Sequence, residues 1–200
     1  MATRTHSVDP RAERVRGRLR DAAFALAHEV AVDLLTVGDI VDRAEVSRQV
    51  FYRHFRDRDD AIAYAFTIAF ASATADIAGD PRARITALFD FAAEHRAMYR
   101  NVVPSAVTLR VVAAFRAELT PACEQIAADA AVGDIAGLTT ESVSRFLVGG
   151  FIEVLRSWME DGDATDLRGR VTAALDTVGA LLGTATATPV RTEPTPHEGL

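Results

Sequence analysis

From Pro10 to Leu182 the apolar residues of this chain recur at helical spacing, and nowhere do they alternate in the period of two that a half-buried strand requires. Residues that break or cap helices fall at the seams. Asp80-Pro81 and Thr120-Pro121 each pair a capping residue with proline at the first helical position, which marks two helix starts. Thr36 followed by Asp39, then Ser47, then Asp57, mark three more. The spacing predicts helices over about 10–31, 37–44, 47–55, 58–78, 81–95, 97–103, 106–118, 121–131, 139–160 and 164–182. An all-α fold follows. Residues 1–9 read as a flexible N-terminus, and the Thr/Pro/Ala-rich tail 183–200 reads as a disordered end.

Several function classes drop out early. A hydrophobic fraction of 49% over 200 residues supports a real core. No secretory h-region follows Met1 and no run of 18 apolar residues could cross a bilayer, so no membrane partner and a cytoplasmic location are expected. Cys123 is the single cysteine, read as a small buried hydrophobe, and it excludes an intramolecular disulfide or a cysteine metal cluster. G-x-S-x-G and Walker A sequences are missing, His28-Glu29 lacks the second histidine of H-E-x-x-H, and no histidine has glutamate three positions before it. No catalytic residue, metal or cofactor is expected.

The net charge of −6 opposes nucleic-acid binding until it is divided along the chain. Residues 1–60 hold 11 of the 22 basic residues against 11 acidic ones, so the excess lies in the rest. Two basic clusters stand out, six arginines in residues 1–20 and five in residues 43–58. One end of the molecule is suited to a polyanion.

The second cluster contains VSRQVFYRHF, residues 46–55. On a helix from Ser47, Phe51 and Phe55 fall on one side with Val50, while Arg48, Gln49, Tyr52 and Arg53 share the other. With helix 37–44 before it, anchored by Ile40, Val41 and Ala44, the stretch has the form of a helix-turn-helix, which sets its second helix in the DNA major groove. The aromatic side packs inward and the polar side faces DNA. A helical bundle that binds proteins and not DNA is the alternative, and it leaves the basic face without a reason.

The run LLTVGDIVDRAEVSRQVFYRHFRDRDDAIAYAF resembles the N-terminal domain of the TetR family of bacterial transcriptional regulators, over about residues 12–70. FDFAAEHRAMYRNVV and GGFIEVLRSWMEDG resemble, more weakly, one of that family's larger domains. The resemblance implies a three-helix DNA-binding domain at 10–57 and a ligand-binding and dimerisation domain at 58–182, with 58–78 connecting them. It implies a homodimer, usually a repressor, released from a palindromic operator on double-stranded DNA by a small-molecule effector. Carried over by position, Arg48 and Gln49 read bases, by forks onto guanine and adenine. Tyr52, His54 and Thr36 hold phosphates; Ser47 caps its helix and has phosphate as a second role; Arg58 holds phosphate, and Arg53 serves either role. The chain has Ala31 and Glu45 where the family usually has glycine, and a non-glycine residue in left-handed backbone costs about 1 kcal/mol.

In the larger domain, Phe89, His95, Arg96, Met98, Tyr99, Phe115, Phe151 and Trp158 are the candidates to line an effector pocket, against the alternative that they are core. Helix 139–160 is apolar over a wide arc and needs two partners, one of them a second copy. Val143, Leu147, Gly150 and Val154, with Val171, Leu175 and Val178 of the last helix, are the expected dimer contacts. Helix 58–78, with Ile62, Phe66, Phe70 and Ile77 on one face, is the predicted link between the pocket and DNA.

Overall fold

The structure is a computed structural model, and it describes residues 9–130 and 138–183. The expected flexible N-terminus up to residue 8 and the tail from 184 lie outside the described residues. Nine helices appear among those described: α1 Pro10–Glu29, α2 Val37–Ala44, α3 Arg48–Phe51, α4 Arg58–Thr74, α5 Pro81–Glu94, α6 Arg96–Val102, α7 Thr108–Asp129, α8 Thr140–Glu160 and α9 Leu167–Leu181. A short 3-10 turn, Val32–Leu34, joins α1 to α2.

Local hydrogen bonding explains most of the starts. The Asp9 carboxylate accepts from Arg11 N at 2.9 Å with Pro10 at the first position, and Asp80 accepts from Arg82 N and Ala83 N ahead of Pro81. Thr36 and Asp39 cap each other reciprocally, as do Thr139 and Ser142. Asp57 accepts from Asp60 N at 2.7 Å and opens α4.

The Thr120-Pro121 expectation was wrong. Residues 108–129 form one helix with Pro121 inside it. An internal proline removes a backbone bond and costs about 3 kcal/mol. Here Val111, Phe115, Leu119, Ala122, Cys123 and Ile126 continue one buried stripe through it, and that packing outweighs the local penalty. The end of helix 121–131 falls at the edge of the undescribed segment.

α7 is the axis of the body, packed against α4, α5 and α8, while α9 lies on α5 and α8. A thread of aromatic rings crosses these elements. Phe24 of α1 meets Phe66 at 5.9 Å, Phe66 meets Phe70, Phe70 meets Phe115 at 5.4 Å, and Phe115 passes to Phe89 and then Phe151. Most contacts are edge-to-face, the favoured geometry for rings of opposite edge and face charge. Arg96 is also structural. Its guanidinium stacks on Trp158 at 4.3 Å and donates to the carbonyls of Trp158, Asp161 and Ala164, closing the C-terminal end of α8.

Two helices carry more apolar surface than the chain covers. Val143, Leu147, Val171 and Leu175, expected at a dimer contact, are buried within the chain, because α8 turns that side toward α9 and the body. Val154 and Val178 are half-buried and Gly150 is exposed. The uncovered apolar groups lie one step round: Phe146 is 74% exposed, Leu181 75% and Leu138 41%. Gly149 and Gly150 lie beside them on α8 with open space where a Cβ would stand.

Candidate nucleic-acid interface

The short α3 packs on α2, and Phe55 just after it meets Tyr64 of α4 and Arg16 of α1. Ile40, Val41 and Ala44 of α2 and Phe51 of α3 are buried with Phe55, and Phe51 lies 5.7 Å from Phe55. The expected helix 47–55 is shorter than its pattern. Regular α-helix stops at Phe51, and Arg53 N and His54 N bond three residues back, to Val50 O and Phe51 O, tightening the turn that seats Phe55. Seated this way, the helix presents Arg48, Gln49, Tyr52 and Arg53 outward, all exposed, with Tyr52 at 58%. Arg48, Gln49, Arg53 and the half-buried His54 have no side-chain hydrogen bond or ion pair among the described residues.

The bend between α2 and α3 is made by Glu45, at φ 51 and ψ 49, the one non-glycine residue with positive φ among those described. Val46 N reaches back to Val41 O at 3.0 Å, a helix-closing bond that this left-handed step permits. Arg18 of α1 steadies it, donating to the Glu45 carbonyl and carboxylate, each at 3.3 Å. Ala31, the other departure, sits at φ −54 and ψ 128, where any residue fits.

The two cap hydroxyls differ in what they have left to give. Thr36 Oγ1 donates to Asp39 Oδ2 at 2.7 Å, so its single proton is used; the same bonds hold the Asp39 carboxyl below its ordinary range. Ser47 Oγ accepts from Val50 N at 3.3 Å and keeps its proton for an outside acceptor. Arg58, expected at phosphate, is turned inward. It donates to Leu35 O at 2.9 Å and Asp33 O at 3.1 Å and pairs with Asp59 at 2.7 Å, tying α4 to the 3-10 turn.

Among the first arginines, the half-buried Arg16 lies over the Tyr64 ring at 4.1 Å, while Arg20 pairs with Asp21. Arg43 forks onto Glu29 at 3.0 and 2.7 Å, which lowers the Glu29 pKa.

Sequence reasoning passed over Gly38 and Asn101 here and gave His95 a different place, in an effector pocket. Gly38 stands where a Cβ would come within 2.9 Å of Arg48 Nη2, so its bareness leaves room for that guanidinium. Asn101 of α6 donates through Nδ2 to Ala27 O at 3.0 Å and His28 O at 3.2 Å, holding the last turn of α1. His95 joins it. His28 Nδ1 lies 3.0 Å from Phe24 O, which can only accept, so Nδ1 carries the proton and Nε2 accepts from His95 Nδ1 at 2.9 Å. Burial lowers the His95 pKa and favours this neutral pairing. The end of α1 is therefore tied to the body by α6 and His95, besides the link through α4 that the sequence pattern had made the only one.

Among the described residues no three His, Cys, Asp or Glu side chains gather as a metal site, and no helix is long and apolar enough to cross a membrane. Cys123 is buried, which pushes its thiol up to about 12.

Residues 19–64 match the family model "Bacterial regulatory proteins, tetR family". No curated protein is similar in sequence. Among solved structures, a dihydroxyacetone kinase operon activator, DhaS, superposes with a TM-score of 0.63 at 16% identity, covering 85% of this chain and 97% of that one. A TetR transcriptional regulator from Streptococcus agalactiae gives 0.60 at 16% identity, with 84% and 95% covered. The SmeT–triclosan complex gives 0.58 at 22% identity, with 92% and 100% covered. At these identities the likeness establishes a shared fold over nearly the whole chain.

Proposed function

We propose, taking as premise that this chain is a TetR-family transcriptional regulator, that it acts as a homodimer whose two α3 helices read the half-sites of a palindromic operator, repressing until a small molecule in the larger domain releases it. One observation carries this reading. The fold anchors α3 from behind through Phe51 and Phe55 and leaves the donors of Arg48, Gln49 and Arg53 unused in front. Arg48 and Gln49 are the base readers, forking onto guanine and adenine. Tyr52, Arg53, His54 and the Ser47 hydroxyl meet phosphates, which fix register without reading sequence.

The second copy covers the face of Phe146, Leu138 and Leu181, where Gly149 and Gly150 let helices approach closely. Two-fold symmetry of that pairing requires half-sites about 34–36 Å, or a multiple, apart.

Selection from random-sequence duplexes tests the reading directly. It should enrich a palindrome bound with strong salt dependence, since phosphate contacts release counterions. On the enriched site Arg48→Ala should weaken binding roughly ten- to a hundredfold, with little change on unrelated DNA. Tyr52→Phe should lower both together. Failure to enrich any site, or an Arg48→Ala protein that binds as tightly as the parent at fixed salt, rules the assignment out.

A further inference from the structure

Of the aromatic pocket candidates, Tyr99 and Phe115 line a cavity of about 300 Å³ between α6, α7 and α8, and Phe89, Met98, Phe151 and Trp158 are packed elsewhere in the core. The feature that no role yet explains lies in the helix pair, at Gly38.

Gly38 is the second residue of α2, a helix of eight. Glycine is the poorest helix former after proline, so its use there calls for a cause. The backbone supplies none, because Gly38 does not take the positive φ of Gly79 and Gly183. Space supplies one. A Cβ on Gly38 would stand 2.9 Å from Arg48 Nη2 and 3.9 Å from Arg48 Cζ, with Thr36 Oγ1 at 3.2 Å. Thr36 cannot yield, since its hydroxyl is held between Asp39 N and Asp39 Oδ2 by the cap that starts α2. The movable neighbour is the guanidinium. Gly149 and Gly150, also helical, meet nothing within 4 Å, and the crowded Gly169 has its own cause, an N–H bonded to the Asp166 cap at 2.7 Å.

Arg48 is the first residue of α3, and its side chain crosses from there to the start of α2. It makes no hydrogen bond or ion pair among the described residues. A cation also gains nothing from the positive end of a helix dipole, so what Gly38 offers Arg48 is room and not attraction. The guanidinium lies at the seam of the two helices with its donors unspent.

We propose that Gly38 is a positioning residue for DNA recognition: by lacking a side chain it gives the Arg48 guanidinium its path across the start of α2, and so sets which base Arg48 reaches. This rests on the regulator reading, in which Arg48 is a base reader. A side chain on residue 38 closes that path and turns the guanidinium along another. A fork onto guanine tolerates little displacement, because two N–H groups must meet O6 and N7 together.

The test is selection from random-sequence duplexes with the full-length parent, Gly38→Ala, Arg48→Ala and the double variant, then titration on the parent's enriched site at fixed salt. Gly38→Ala should bind that site about three- to tenfold more weakly, a part of the Arg48→Ala loss, and should change the preference at the same base pair that Arg48→Ala relaxes. Added to Arg48→Ala it should weaken binding by less than about twofold, since no guanidinium is left to displace. Its melting temperature should be no lower than the parent's, because alanine favours the helix and only an exposed side-chain end has to move. Parent-like base preference in Gly38→Ala overturns the proposal. So does an equal loss with and without Arg48, which makes residue 38 a direct neighbour of DNA, or a lowered melting temperature, which traces the loss to the fold. A parent that enriches no site removes the regulator reading and this inference together, whereas an enriched site that Gly38→Ala reads unchanged removes this inference alone.

Discussion

On α3 the groups without partners are donors, Arg48, Gln49 and Arg53, whereas on α8 they are carbon, the Phe146 ring beside two bare glycines. Water satisfies the first set and not the second. An exposed guanidinium is well solvated and gains by leaving water only for a strong, well-placed anion, while apolar surface gains about 25 cal/mol per Å² from any complementary cover. Under the proposed function, the α8 face would pair readily under all conditions, and the α3 face would bind conditionally, at a strength that salt and geometry set. That division would give a regulator a constant assembly and an adjustable contact.

The largest expected effect removes the first half of the comparison. Phe146→Glu, at a position 74% exposed, should leave the fold intact, shift sedimentation from dimer to monomer, and weaken operator binding about a hundredfold or more, because two linked half-site contacts become one. A dimer that persists in this variant places the contact between copies elsewhere. A smaller effect sharpens the second half by pairing Arg58 with Arg53. Arg58→Ala strips donors from two carbonyls and should lower unfolding stability by about 2 kcal/mol, read as a shift in urea midpoint at constant slope. Arg53→Ala should change stability by less than about 0.5 kcal/mol and show its loss in DNA affinity instead. If the two variants exchange phenotypes, Arg58 is the phosphate ligand after all. The smallest effect concerns the bend that aims α3. Glu45→Gly removes the left-handed strain but also the exposed pair with Arg18, for a net gain of about 0.5 kcal/mol in the same assay. A net loss there makes the Arg18 contact the stronger term.

The sequence carried the helix starts at Thr36, Asp57 and Asp80, because a cap is a bond between residues two or three apart and its chemistry is written locally. The face of α3 was legible for a similar reason: two phenylalanines four apart dictate which way a short helix must turn. What it could not carry were pairings set by the rest of the fold. Arg58 finds its carbonyls 23 and 25 residues away and Asn101 finds α1 more than 70 away, so neither partner leaves a periodic trace. Pro121 reads locally as a start because its missing N–H is visible in sequence and the buried stripe holding it in place is not. On α8 the wide apolar arc announced two partners without saying which side would go inward, and the contact with α9 took Val143 and Leu147.

The double attachment of the helix pair has a kinematic consequence. A rigid unit held at one point swivels in three directions; held at two separated points, it turns about the single line between them. Here one point is the start of α4, where Arg58 locks the turn before α2, and the other is the end of α1, gripped from the side by Asn101 and His95. With α1 also laid along α4 through Phe24 and Phe66, the unit follows the body as one block instead of swivelling on a single tether. In the proposed two-fold assembly such blocks would move as a symmetric pair, so the spacing between the two α3 helices would change as a single coordinate.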